Sequence, residues 1–373
     1  MNTALKSFTI RSFRGLRDLA FHDLGRFNLL VGDNNTGKTS ILEALLLFAR
    51  PGDGMNWLRV LKARGAELNS EILGASIGWL FGREGRDSDV SWAPIELEGH
   101  GAHGSESLRL SLHLESKVVD LPSRDKEVSG DASEDDEKVL SVAHVDAEWT
   151  SSKDGSKSGE MVFDPIPQRG KKGGFRAGFD PAIKAIRNIP AILAKPHVHR
   201  NSKAASTAYT AAIQKNLKPR LVHAAQSFDP DILDLEMVAK ADVTSVLVIH
   251  RRLGPVPLHA FGDGLRKAVV VTGMALEAAD GILLLDEAET ALHVHAQDRF
   301  FVGLHQLCEE LNVQVFMTTH SLDAVDSVLR AFGDQSSSVV GFHLDKADGV
   351  RTLKRFSGGM MERLRFERGL DIR

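Results

Sequence analysis

The run Phe27-Asn28-Leu29-Leu30-Val31-Gly32-Asp33-Asn34-Asn35-Thr36-Gly37-Lys38-Thr39-Ser40 carries the spacing GxxxxGK[ST]. Phe27 to Val31 is apolar enough to read as a buried parallel strand, and Ile41 to Phe48, apolar apart from Glu43, reads as the helix that follows. A glycine-bracketed turn between strand and helix is a cradle for phosphate. Its backbone N–H groups point inward, the helix N-terminus adds partial positive charge, and Lys38 places a point charge opposite the outer phosphates. Gly32, Asp33, Asn34, Asn35, Thr36, Gly37, Lys38, Thr39 and Ser40 are therefore the candidate phosphate-binding residues, with Thr39 also a magnesium ligand.

Hydrolysis needs more than a cradle: a carboxylate for magnesium and a group that activates water. Gly281-Ile282-Leu283-Leu284-Leu285-Asp286-Glu287 supplies both at the end of an aliphatic strand, the edge at which ligands bind in parallel sheets. Asp286 is expected to hold magnesium and Glu287 to orient and deprotonate the attacking water. Val313 to His320 reads as a third buried strand, apolar but for Gln314 until the polar residues at its end. His320 is placed to hydrogen-bond a γ-phosphate, and Ser321 to cap the helix Leu322 to Phe332.

These residues must be held by a large α/β core. The 373-residue chain suffices for one such core with an elaboration, or for two domains. Its 46 basic and 50 acidic residues nearly balance, so any nucleic-acid contact must come from a local patch. One cysteine, Cys308, excludes a disulfide framework and a cysteine-based zinc finger, and its apolar neighbours at helical spacing suggest a buried thiol. Met1 to Arg14 has no apolar signal-like core, and the apolar stretch Ala268 to Leu285 is interrupted by Glu277 and Asp280. The expectation is a soluble cytoplasmic protein with no membrane contact.

Along the chain, residues 1–55 read as the N-terminal lobe of an ATPase domain, 56–240 as an insertion, and 241–373 as the C-terminal lobe. Thr9 to Leu19 reads as a strand and its turn. Within the insertion, 56 to 82 look helical, and hairpins are expected at Ile95–Leu97 with Leu108–Leu114 and at Val139–Trp149 with Met161–Phe163. Helices are expected over 181–193 and 204–214, and one or two strands over 235–249. The acidic stretch at about 117–138 is too polar to order itself. Gln168 to Arg176, extended by Lys184 and Arg187, is the concentrated basic segment; it reads as a solvated loop or as a track for a DNA backbone through 169–187. His197-Val198-His199 and His293-Val294-His295 have strand-face spacing but lack the further ligands of a zinc site.

Phe13-Arg14-Gly15, the Walker A run, the Asp286-Glu287 Walker B pair, Glu289-Thr290-Ala291-Leu292-His293 and Thr318-Thr319-His320-Ser321 together resemble ABC-type ATPases of the RecF, SMC and OLD group. The likeness is greatest to the OLD-like ATPases of bacterial genome-maintenance, DNA-repair and antiviral defence systems, and it covers residues 5–50 and about 245–365. It implies a P-loop NTPase fold of ABC-ATPase type, a mixed sheet flanked by helices, with an inserted antiparallel β and helical region. It also implies ATP and Mg2+ as cofactors and a homodimer in which each site is completed by a signature motif of the opposite subunit. Phe261-Gly262-Asp263-Gly264-Leu265-Arg266-Lys267 matches that motif, so Gly262 and Gly264 join the candidate nucleotide contacts. The usual serine is absent, and Asp263 reads as a helix cap. Gln168 is a weak match to the family's Q-loop.

Two functions follow from the resemblance: an ATPase that senses or clamps DNA or regulates an anti-phage effector, and a slow, nucleotide-gated scaffold. A transporter subunit fits less well, since neither a serine-containing signature nor a clear Q-loop is found. OLD-like proteins carry a Toprim nuclease after the ATPase, for which Phe356 to Arg373 leaves no room. The expectation is therefore a separately encoded effector, plausibly a nuclease.

Overall fold

Phe27–Gly32, Ile282–Leu285 and Gln314–Thr318 are buried at every position. A strand without a solvated face has to lie inside a sheet covered on both sides, which favours parallel pairing. In the computed structural model, which describes residues 3–62, 73–84, 91–120, 137–166, 174–240, 243–333, 338–347 and 350–372, these strands lie in one six-stranded sheet. Its order is Ala191–Ala194, Ile282–Leu285, Gln314–Thr318, Phe27–Gly32, Val339–Ala347, Val350–Ser357. The first five run parallel and the last antiparallel, giving the expected mixed sheet. All three motif strands therefore end at the same edge.

By chain contacts the protein divides into two units, 1–7 with 20–49 and 189–373, and 8–19 with 50–188. This departs from the expected insertion of 56–240: residues 189–240 belong with the P-loop unit. That unit includes the mixed sheet, the helix Lys38–Ala49, and the helices Ser202–Gln214, Lys218–Gln226, Asp263–Glu277, Val294–Glu310 and Leu322–Phe332. It also holds a three-stranded antiparallel sheet, Ile232–Lys240, Val243–His250 and Gly254–Pro257. The other unit is built mainly from a sheet whose hairpins include Ile95–Gly101 with Gly104–Asp120 and Glu137–Ser151 with Gly155–Ile166, as the alternation suggested.

Two expected helices are revised. The span 56–82 contains the end of a helix Gly54–Lys62 and a short helix Leu73–Gly78, with 63–72 outside the described residues. The span 181–193 holds only a one-turn helix, Pro181–Lys184, started by the Asp180 side chain accepting from the Ala182 N–H. Pro190 cannot supply a helical N–H and disfavours the helical region for the residue before it. Beyond it Ala191–Ala194 pairs in register with Ile282–Leu285, as an edge strand of the sheet. The helix Asp263–Glu277 is buried over more than one face, including Val270, Val271 and Gly273, so its apolar pattern reports a core helix rather than an amphipathic one.

Cys308 is fully buried in the helix Val294–Glu310, and burial drives its thiol far above the ordinary range. A thiol reagent is therefore expected to leave the native protein unmodified at neutral pH and to modify one thiol per chain in denaturant. Labelling followed by intact mass would read both states.

Candidate functional site

The loop between the strand Phe27–Gly32 and the helix Lys38–Ala49 depends on backbone conformations that side chains disfavour. Gly32 sits at φ 138° and Gly37 at φ 112°, and a Cβ built on Gly32 would lie 2.2 Å from the Leu344 carbonyl oxygen. Only glycine fits there. Asn35 takes φ 65°, the left-handed conformation that Asn tolerates better than other side chains. Thr36 is buried and its hydroxyl donates to the Asp33 carbonyl at 3.0 Å, while Asp33, Asn34 and Asn35 face solvent. Arg351, from the antiparallel edge strand, donates its Nε to the Thr36 carbonyl at 2.8 Å.

Lys38 Nζ donates to the carbonyls of Gly32 (2.6 Å) and Asp33 (2.8 Å), which aims its charge along the rim of the loop. Burial lowers its pKa, with Asp33, Asp286, Glu287 and Glu289 opposing that shift. Ser40 is buried in the first turn of the helix. One residue before it, Thr39 turns its hydroxyl to Asp286, with Oγ1 3.0 and 3.1 Å from the two carboxylate oxygens. A hydroxyl and a carboxylate side by side are a donor set for a hard cation such as Mg2+.

Asp286 and Glu287 leave the strand Ile282–Leu285 where Thr318 ends the next strand. Thr318 Oγ1 donates to Asp286 Oδ1 at 2.7 Å and accepts from the Glu287 N–H at 2.8 Å. Glu287 has φ 45°, a left-handed conformation that costs about 1–3 kcal/mol and persists only where surrounding bonds enforce it. The Thr290 hydroxyl donates to Glu287 Oε2 at 3.0 Å. Buried Glu289 anchors the histidine: its Oε1 accepts from the His320 N–H at 3.2 Å and lies 3.4 Å from His320 Nδ1. The His320 side chain is 52% exposed and so remains reachable at the sheet edge. Ser321 caps the helix after it, accepting from the Ala324 N–H, as its sequence position implied.

The P-loop residues, Asp286, Glu287 and His320 thus converge at one sheet edge. Gly262 and Gly264 stand apart from them, at the N-terminus of the helix Asp263–Glu277, where the local neighbours are His199, Arg200, Phe228 and Ala291. Asp263 is not the cap: that position is Gly262, with no side-chain cap bond. Its carboxylate instead accepts from Arg200 Nη2 and Arg266 Nη1, each at 2.9 Å, with buried His199 Nε2 at 3.4 Å. The Arg200 hydrogen bond foremost, with His199 beside it, holds Asp263 below the usual carboxylate range. Two guanidinium groups against one carboxylate leave this helix end positive.

Lys267, in the first turns of the same helix, was not singled out by the sequence. It is 3% exposed and donates its Nζ to the carbonyls of Glu287 (3.2 Å) and Thr290 (2.7 Å). Burial lowers its pKa from 10.5 to about 8, against the opposing pull of Glu289, Glu287 and Asp286. Below pH 8 folded and unfolded chains both carry this proton; between about 8 and 10.5 the unfolded chain keeps a proton that the folded one has released. Stability measured relative to Lys267→Met is therefore expected to rise with pH across that window, by at most about 1.4 kcal/mol per pH unit. Denaturant titrations of both proteins at a series of pH values would check it.

Other candidates are not gathered here. Gln168, Arg169, Lys171 and Lys172 lie outside the described residues. Arg187, expected to extend the basic segment, is bound by the buried Glu106 carboxylate at 2.7 Å. The His-Val-His pairs are not on strands: His197–His199 enters a one-turn 3-10 helix and His293 caps the helix Val294–Glu310. Asp229, Asp231 and His250 cluster within 4.8 Å, but Arg251 and Arg252 bind Asp231, and His250 bonds Asp229. Among the described residues no helix is long and apolar enough to cross a membrane.

The strand Gln314–Thr318, which leads to His320, runs between the P-loop strand and the Walker B strand, and the cradle, carboxylates and histidine open on one edge. This arrangement, with the family match that follows, is that of a P-loop ATPase fold. Residues 27–326 match the profile of the family described as "AAA domain, putative AbiEii toxin, Type IV TA system", and the chain belongs to that family. The oligopeptide transport ATP-binding protein OppD of Haemophilus influenzae is 31% identical over 103 residues, 28% of this chain and 31% of OppD. An ATP/GTP phosphatase of Helicobacter pylori is 22% identical over 354 residues, covering 87% of this chain and 88% of that protein. A crystal structure of the SMC head bound to the C-winged helix domain of ScpA aligns over 95% of this chain and 97% of that one, at 12% identity and TM-score 0.49. The chain spans 27–31% of the length of the first curated relatives it matches.

Proposed function

We propose that the chain is a magnesium-dependent ATPase of OLD-like type, cytoplasmic, that closes as a homodimer around ATP and regulates a DNA-related or anti-phage effector. The observation that carries the reading is the continuous line Thr39–Asp286–Thr318–Glu287, which joins the phosphate cradle to the water-activating position through bonds of 2.7–3.1 Å. In it Gly32 to Lys38 and Ser40 bind phosphate, Thr39 and Asp286 hold Mg2+, Glu287 takes the proton of the attacking water, and His320 donates to the γ-phosphate. Bound Mg2+ would neutralise charge on the β- and γ-oxygens. The dimer reading is supported by the positive end of the helix at Gly262, where no side chain caps the backbone N–H groups, a suitable surface for a partner subunit's phosphate.

A second reading, the slowly hydrolysing scaffold, is favoured by one contact. The Thr290 hydroxyl engages Glu287 Oε2 within the same chain, a bond that stabilises the carboxylate and weakens it as a base, while Oε1 stays open to water. Comparing single-turnover and steady-state phosphate release, with and without DNA and with and without Mg2+, separates the two. Release that requires Mg2+ and recurs over many turnovers supports the enzyme. One burst followed by a stalled complex supports the scaffold, and no release under any condition counts against both.

A further inference from the structure

Lysine is almost never fully buried without partners, and an apolar side chain of similar length would fill the space beside Val270 and Val271 without the desolvation penalty. What Lys267 holds is therefore informative. Its two acceptors, the Glu287 and Thr290 carbonyls, belong to the turn Asp286–Ala291, in which both Glu287 (φ 45°) and Ala291 (φ 68°) are left-handed. From the other side, Thr318 holds the Glu287 N–H at 2.8 Å and the Ala288 N–H at 3.1 Å. The main chain of Glu287 is thus gripped at its N–H by the strand Gln314–Thr318 and at its carbonyl by the helix Asp263–Glu277. Neither grip touches the carboxylate, which stays available to a substrate.

We propose, on the basis of the ATPase reading above, that Lys267 is a positioning residue for Glu287: it fixes the strained turn from which the carboxylate reaches water, and ties that turn to the signature-like helix. The ammonium acts through the backbone, so its loss moves the general base without removing any group that binds nucleotide. Displacing a reacting group by about 1 Å costs on the order of 10²-fold in rate. Asp263 lies one helical turn before Lys267, so a partner seated at that helix end pushes on the same rigid piece that carries the Glu287 carbonyl.

The test uses the full chain as wild type, Lys267→Met, Lys267→Arg and Lys38→Ala. Phosphate release is followed over a range of ATP with excess Mg2+, and nucleotide affinity is measured separately with a fluorescent ATP analogue. Lys267→Met is expected to lower kcat about 10²-fold with KM and analogue affinity unchanged. Lys267→Arg, which keeps charged donors, is expected to regain part of that loss. A Lys267→Met protein as fast as wild type overturns the proposal. So does joint loss of affinity and kcat in both Lys267 variants, the mark of a packing role. Should Lys267→Met not fold, Lys267→Gln decides on the same criterion: kcat lowered with affinity kept upholds the proposal, and both kept or both lost overturns it. A wild type that releases no phosphate, or release undiminished by Lys38→Ala, indicts the ATPase reading instead.

Discussion

Lys38→Ala is expected to abolish measurable ATP binding in the micromolar range. A hydrogen bond to a charged group contributes about 1.5–3 kcal/mol, and Lys38 offers three donors at the rim of the cradle, so a loss of at least about 10²-fold is expected. The structure adds a second cause. Lys38 Nζ also holds the Gly32 and Asp33 carbonyls, so its removal slackens the loop whose N–H groups must converge. A thermal-shift titration reads the effect directly. A ligand at about 100 times its Kd stabilises by roughly 2.7 kcal/mol, so wild type should melt higher with ATP while the variant does not respond. An unchanged ATP-dependent shift in Lys38→Ala would place nucleotide elsewhere than in this loop. Fold integrity is controlled by melting without ATP, where the variant should keep a cooperative transition, lowered only by the loss of the two carbonyl bonds that Lys38 makes.

The parts of this site that could be read from sequence are those whose neighbours in space are neighbours in the chain. Gly32, Gly37, Lys38 and Thr39 lie within eight consecutive residues, and their strand and helix flank them directly. Ile282–Leu285 and Gln314–Thr318 were legible because an unbroken aliphatic run admits little else than a strand covered on both faces. The tethers were not legible. Arg351 meets Thr36 across 315 positions, and Lys267 meets Glu287 across 20 through backbone oxygens that no residue type announces. A lysine within Leu265–Val271, otherwise apolar apart from Arg266, was the signal available, and it reads equally well as a solvated helix position. Ala191–Ala194 was not legible for another reason: four consecutive apolar residues show no periodicity, and only pairing with Ile282–Leu285 makes them a strand. Asp263 reads as a cap from sequence because Asp favours that position, yet two arginines claim its carboxylate and Gly262 opens the helix.

Glu287→Gln should separate binding from chemistry. Gln is isosteric with Glu; its amide oxygen can still accept from the Thr290 hydroxyl, and the Thr318 and Lys267 bonds to the Glu287 main chain are untouched. The turn, the Thr39–Asp286 pair and the cradle should therefore persist, and ATP should bind with wild-type affinity. What is lost is the proton acceptor, and general-base catalysis contributes about 10²–10⁴-fold, so kcat should fall by that factor. If ATP closes two subunits and hydrolysis opens them, a variant that binds but cannot hydrolyse accumulates the closed form. Size-exclusion chromatography with light scattering in ATP and Mg2+ should then show Glu287→Gln as a dimer, dissociating when ATP is replaced by ADP. The positive helix end at Gly262 predicts where the second subunit contributes: Arg200→Glu, which reverses charge there, should lower that dimer fraction while leaving ATP affinity of the single chain intact. A Glu287→Gln protein that stays monomeric in saturating ATP, beside a wild type that hydrolyses normally, would show that each chain completes its own site and that the two-subunit sandwich is wrong.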